Sequence, residues 1–135
     1  MIELHEYFGE KQHTDDQEEA ASGLLDKVNE CIDWARLGGF QAPIDPDTGT
    51  QISGSKGGNG DGGFRLPGAT TGKPASKHKL AHAVDVYDPG DILDRILSDD
   101  DLARFGLYRE SPDSTPGWCH LQDVPPGSGH RTFKP

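Results

Sequence analysis

Ser76-Lys77-His78-Lys79-Leu80-Ala81-His82-Ala83-Val84-Asp85-Val86-Tyr87 is the stretch on which the fold turns. Its second half alternates, with Val84 and Val86 on one side of an extended chain and Ala83, Asp85 and Tyr87 on the other. The valines suit a core, so Asp85 projects from the opposite face and small Ala83 leaves space beside it. A carboxylate there is costly unless a cation or hydrogen-bond donors meet it. Downstream, Trp118-Cys119-His120-Leu121-Gln122 also reads as a strand, with His120 between apolar flanks. His78, Asp85 and His120 thus offer two imidazoles and one carboxylate from separate segments. A catalytic zinc ion typically takes three such ligands and leaves its fourth position to water. One His is more often structural than ligating, but the combination makes a metal-dependent hydrolase the leading expectation.

Other ligand types fit less well. Adjacent strand residues face opposite sides, so Cys119 and His120 do not share one metal, and Cys119 faces the core if His120 faces the site. His82 follows His78 by four residues, the spacing of a helical zinc pair. The strand after it places His82 on the valine side, as a structural residue. His5, His13 and His130 lie in loops or termini without ligand context.

Outward from this stretch the organisation is that of one domain, residues 15–135, behind an N-terminal arm over 1–14 anchored by Tyr7-Phe8. Ala21, Leu24, Val28, Cys31 and Ala35, widened by Leu25 and Ile32, predict a core-facing helix capped by Asp15 or Asp16 and stopped at Gly38-Gly39. Cys31 reads as a small buried hydrophobe. Residues 41–75 are loop-like, and the glycine run from Gly54 to Gly63 reads as a flexible loop near the site. A phosphate cradle would open a helix, and no helical pattern follows it. Phe64-Arg65-Leu66 reads as a strand end. Asp88 caps a helix with Pro89 at its first position, and Asp99-Asp100-Asp101 starts another that ends at Gly106. Leu107-Tyr108-Arg109-Glu110 pairs with the strand of His120, and the tail from Pro125 to His130 is irregular. The fold class expected is α+β: a small antiparallel sheet bearing a zinc site, with helices on its other face.

The 135 residues suffice for one core, and 18 glycines and 10 prolines imply long loops. A net charge of −10 without a basic stripe argues against nucleic acid and against anionic membrane surfaces. No apolar run approaches the ~20 residues of a membrane helix. Two cysteines make no disulfide framework. Residues 1–6 lack the features of a secretory signal, so synthesis in the cytoplasm is expected, with action elsewhere after lysis, particle delivery or assisted export.

Ser76-x-His78-x-x-Ala81-x-Ala83-x-Asp85 resembles the S-x-H-x-x-G-x-A-x-D signature of the D-alanyl-D-alanine metallopeptidase superfamily. That group includes peptidoglycan carboxypeptidases, vancomycin-resistance dipeptidases, phage L-alanyl-D-glutamate endolysins and, distantly, hedgehog signalling domains. Trp118-Cys119-His120 resembles its W-x-H element, and Gly63-Phe64-Arg65 its G-[YF]-R, so the likeness spans about residues 62–122. It implies zinc held by His78, Asp85 and His120. It further implies that Arg65 stabilises an oxyanion or holds a substrate carboxylate, and that Ser76 hydrogen-bonds peptide substrate.

Two positions depart from the pattern. Ala81 replaces the usual Gly. Gly117 stands three residues before His120, where several members carry a catalytic Glu or Asp. A base must then come from elsewhere. With a hairpin centred on Ser114, Glu110 lies opposite Trp118, one diagonal step from His120 on the same face. Asp113 is nearer in sequence, and Glu110 is preferred because its direction is better defined. The implied function is a zinc peptidase cutting peptidoglycan stem peptides, as carboxypeptidase or endopeptidase, of phage or prophage type. The alternatives are a non-catalytic zinc module among phage particle components, favoured by Gly117, and a zinc amidase acting on another small peptide.

Overall fold

In the computed structural model, which describes residues 1–54, 62–69 and 76–135, the chain begins with a short helix, α1 (Leu4–Phe8). The segment expected as a partly ordered arm is helical and packed around its apolar anchor. Its anchor, Tyr7 and Phe8, is buried, and Ile2 joins them in the core. Polar contacts hold it there: the Asn29 side chain bonds both the N–H and the carbonyl of Ile2. The Tyr7 hydroxyl donates to the Ala83 carbonyl at 2.8 Å.

The periodic stripe forms helix α2 (Asp15–Leu37), and every residue of the expected apolar face is buried. Its cap is Thr14 rather than Asp15 or Asp16. Thr14 and Gln17 bond each other's backbone N–H groups, while Asp15, Asp16 and Glu18 occupy the first turn, where the helix dipole favours acidic groups. Burial pushes the Cys31 thiol up to about 12, the behaviour of an inert core residue.

The second half builds β1 (Ala83–Tyr87), α3 (Ile92–Ile96), α4 (Asp99–Phe105), β2 (Tyr108–Glu110), β3 (Trp118–Gln122) and β4 (Thr132–Phe133). The four-stranded sheet has the order β1-β3-β2-β4. It is mixed rather than antiparallel, because β4 pairs parallel with β2. That strand follows the tail from Pro125 to His130, which is irregular as expected; two residues are too short to leave a period in sequence. The free edge of β1 is covered by residues 51–53 and 62: Tyr87 N–H donates to Gln51, Ser53 N–H to Asp85, and Asp85 N–H to Gly62. Phe64-Arg65-Leu66 forms no strand. Its backbone is tied instead to Tyr7 and to the Lys11 ammonium. The glycine run expected as a flexible loop lies, over residues 55–61, outside the described residues.

Two turns settle the helix starts. Asp91 N–H closes a turn onto Asp88, so α3 begins at Ile92 rather than at Pro89. The N-cap position is Asp91 rather than Asp88, while the Asp88 carboxylate, from outside the helix, accepts from the first-turn N–H groups of Leu93 and Asp94. Ser98 and Asp101 form a capping box on α4, and Gly106 ends it in the left-handed conformation.

Pairing of β1 with β3 sets Val84 against Leu121, Val86 against Cys119 and Asp85 against His120. Alternation then puts both valines, Cys119, Leu121 and Arg109 on the core face. Ala83, Asp85, Tyr87, Trp118, His120 and Gln122 share the other. Cys119 therefore faces the core, as expected.

A buried polar group lies on that core side. Arg109 reaches Asp94 at 3.6 Å, and the Cys119 thiol also contacts this carboxylate. Burial lifts Asp94 to about 6, against 3.8 for an ordinary Asp, although Cys119 and Arg109 oppose the shift. Between those values the folded state binds more protons than the unfolded one, so stability on this account falls as pH rises through roughly 4 to 6. Asp94→Asn removes that fall. The wild-type-minus-variant difference from urea titrations should decline by about 1–3 kcal/mol across this window and level off above it. A flat difference would exclude Asp94 as the titrating group.

Candidate metal centre

The centre is assembled from a turn and two paired strands. A 3-10 turn, Lys77–Leu80, carries His78 and leads to Ala81, which stands in the left-handed region at φ 60°. Glycine adopts that backbone freely, whereas Ala does so at a cost of about 1 kcal/mol. Ala81 is fully buried, so the gain from burying its methyl offsets the strain. The turn directs His78 toward the face of β1 and β3 that bears Asp85 and His120.

The three donors converge. His120 Nδ1 lies 3.0 Å from Asp85 Oδ1, His78 Nε2 lies 3.2 Å from the same oxygen, and the two imidazole nitrogens are 3.3 Å apart. A tetrahedral ion with bonds near 2.0 Å requires neighbouring ligand atoms about 3.3 Å apart, so the triangle has the size of one face of such a site. These residues form a group able to hold a metal ion. All three are at least 95 % buried: His78 and Asp85 are 2 % exposed and His120 5 %.

Hydrogen bonds behind the rings orient them. His78 Nδ1 donates to the Gly63 carbonyl at 2.9 Å, which leaves the Nε2 lone pair toward the cluster. His120 Nε2 meets Gln122 Oε1 at 2.8 Å. Two imidazole nitrogens and a carboxylate oxygen then face one point, an arrangement that calls for a cation or a proton among them. Burial by itself would raise Asp85, but the His78 and His120 imidazoles outweigh it and hold the carboxyl well below its usual range. Burial works against protonation of His120, yet Asp85, then Glu110 and Gln122, raise it overall.

The other expected residues fall as follows. The strand register places Tyr108 opposite Gln122 and Arg109 opposite Leu121. One step further, Glu110 stands opposite His120, not opposite Trp118. The shift arises because the chain between the strands spends residues on the 3-10 turn Pro112–Ser114. Glu110 Oε1 is 3.9 Å from His120 Nδ1, whereas Asp113 is exposed on that turn. Arg65, 8 % exposed, places Nη2 3.6 Å from Asp85 Oδ2. Ser76 is half-buried at the start of the turn bearing His78, and its carbonyl accepts from Lys79 N–H. Gly117, at φ 93°, occupies a backbone turn that favours glycine. His82 pairs with Asp123 at 2.8 Å, outside the cluster.

Three contributors escaped sequence reasoning. The Gly63 carbonyl leaves no side-chain signal, and the Phe133 ring, 6.1 Å from that of His120, arrives on the two-residue strand β4. Gln122 was findable, since it lies two residues from His120 on the same strand face. A second carboxylate group, Asp88, Asp91 and Asp94, is accounted for by backbone and Arg109 contacts: Asp88 accepts from first-turn N–H groups of α3, Asp91 accepts from Gly117 N–H, and Asp94 meets Arg109.

No protein-family model matches the chain, and neither the curated proteins nor the solved structures contain a match.

Proposed function

We propose that this protein is a zinc-dependent peptidase of the D-alanyl-D-alanine metallopeptidase type, hydrolysing the stem peptides of peptidoglycan. The observation that carries the reading is the buried triangle of His78 Nε2, Asp85 Oδ1 and His120 Nδ1, with the edge lengths of a tetrahedral face. Two nitrogens and one carboxylate oxygen form a donor set suited to zinc. A zinc ion held there supplies Lewis acidity, polarising the scissile carbonyl and making water nucleophilic near neutral pH.

The protein's own groups supply the rest. Glu110, beside His120 on the same face, takes the proton of the attacking water and returns it to the leaving amine. This assigns to β2 the role that Gly117 cannot perform. Arg65 presents its guanidinium beside Asp85, where it meets the oxyanion or a substrate carboxylate. Ser76 bonds the bound peptide from the start of the His78 turn. The substrate class rests on the resemblance of residues 62–122 to the family signature, and action at the cell wall follows from it.

Glu110→Gln should keep its zinc and lose wall hydrolysis by roughly 100- to 10,000-fold, with Asp113→Ala close to wild type. Both are assayed on defined muropeptides beside unrelated D-peptides. Undiminished hydrolysis in zinc-loaded Glu110→Gln defeats the base assignment. Zinc binding without cleavage in the wild type leaves the non-catalytic module, and cleavage of the unrelated peptides alone removes the cell-wall substrate.

A further inference from the structure

His120 is gripped on the side facing away from the cluster. Its Nε2 lies 2.8 Å from Gln122 Oε1, and the Gln122 amide nitrogen donates to the Val124 carbonyl at 2.8 Å. The second bond decides which end of the amide meets the histidine. With its nitrogen committed to Val124, Gln122 presents only its oxygen to Nε2. An amide oxygen accepts and never donates, so Nε2 carries a proton, and Nδ1, 3.0 Å from Asp85 and 3.3 Å from His78, is the nitrogen left to serve as a ligand. Gln122 is 3 % exposed, so solvent competes little for this bond. Alternation along β3 gives the reason for the spacing: residues two apart share a face, and Gln122 is as close as a side chain on that strand can stand.

We infer that Gln122 is a positioning residue of this centre, fixing the tautomer and ring direction of His120 so that Nδ1 is presented as a ligand. Its importance for metal binding rests on the metal reading proposed above; its hold on the imidazole does not. His78 is set differently, by the Gly63 backbone, so Gln122 is a point at which a side chain can be exchanged to change a ligand's tautomer. Glu in its place keeps an acceptor toward Nε2. Leu removes the acceptor. Lys offers a donor, which favours the tautomer with the proton on Nδ1, where a metal bond is blocked.

The test uses the full chain labelled with 15N-histidine, with and without zinc, together with zinc affinity measured against a competing chelator. The resonance of the His120 Nε2 proton is assigned by its loss in His120→Gln. Wild type and Gln122→Glu should show this proton in slow exchange in both states, and Gln122→Glu should bind zinc at least as tightly as wild type. Gln122→Leu should lose the protected proton and bind zinc about 10- to 100-fold more weakly, with Gln122→Lys weaker still. Should Gln122→Leu fail to fold, the comparison of Gln122→Glu with Gln122→Lys carries the same contrast. Wild-type affinity and a protected proton in Gln122→Leu, or no protected proton in wild type, overturns the inference. A protected proton in a wild-type chain that takes up no zinc upholds the grip of Gln122 and defeats the metal reading.

Discussion

Asp85→Asn is expected to leave the protein without metal: zinc falls from about one ion per chain to background, and peptidoglycan hydrolysis goes with it. Asn is nearly isosteric, so packing on β1 is preserved while the charge is removed. Asp85 Oδ1 is the atom common to both short contacts of the triangle, at 3.0 Å to His120 and 3.2 Å to His78. Without its charge, two neutral imidazoles alone must hold a dication in a buried site. Thermal unfolding reads the same loss without any substrate. Zinc at a thousand times its dissociation constant stabilises a binding protein by about 4 kcal/mol, and the shift should vanish in Asp85→Asn. His78→Ala and His120→Ala should behave alike. Equal zinc uptake and an equal thermal shift in Asp85→Asn would remove the three-ligand centre.

The second large effect comes from a residue with no side chain. Gly63→Ala puts a Cβ 2.5 Å from the Tyr7 carbonyl oxygen, with the rest of the Tyr7 backbone next in line. Backbone cannot swing aside as a flexible side chain can. The Tyr7 carbonyl is also held by Phe64 N–H at 3.0 Å, and the Tyr7 ring is buried. The Gly63 segment must therefore move, and its carbonyl moves away from His78 Nδ1, now at 2.9 Å. The expected cost is about 1–3 kcal/mol of stability. Zinc affinity should fall about 10- to 100-fold, because the His78 tautomer loses its acceptor. Gly68→Ala is the control: a Cβ there meets nothing within 4 Å. A Gly63→Ala variant with the urea midpoint and zinc affinity of wild type would show that the backbone yields.

Where a signal is local, it was legible in the sequence. The stripe from Ala21 to Ala35 marks α2, and alternation through Val84 and Val86 marks β1 and sends Asp85 to the opposite face. The same rule turns Cys119 to the core once His120 faces the site. Errors gathered where longer-range contacts decide. The cap of α2 is the exception: Thr14 and Gln17, three residues apart, form a capping box that is itself a local pattern, beside acidic residues that are also good caps. The arm over 1–14 packs because Asn29 and Ala83, far along the chain, bond Ile2 and Tyr7. The sheet is mixed because β4 docks beside β2, a pairing its two residues do not advertise.

By itself the sequence determined the α+β composition, the faces of the main strands and the three residues with ligand chemistry, because side-chain direction follows from backbone period alone. Only the tertiary structure decided that their donor atoms meet within 3.3 Å, since that depends on the β1–β3 register and on the turn at Ala81. It also decided that Glu110 stands opposite His120, through a loop length that pattern cannot measure. The orientation of both imidazoles was likewise tertiary, set by a glycine carbonyl and a pinned amide. Hydrogen bonds are directional and short, so sub-ångström placement governs them, whereas hydrophobic periodicity tolerates it.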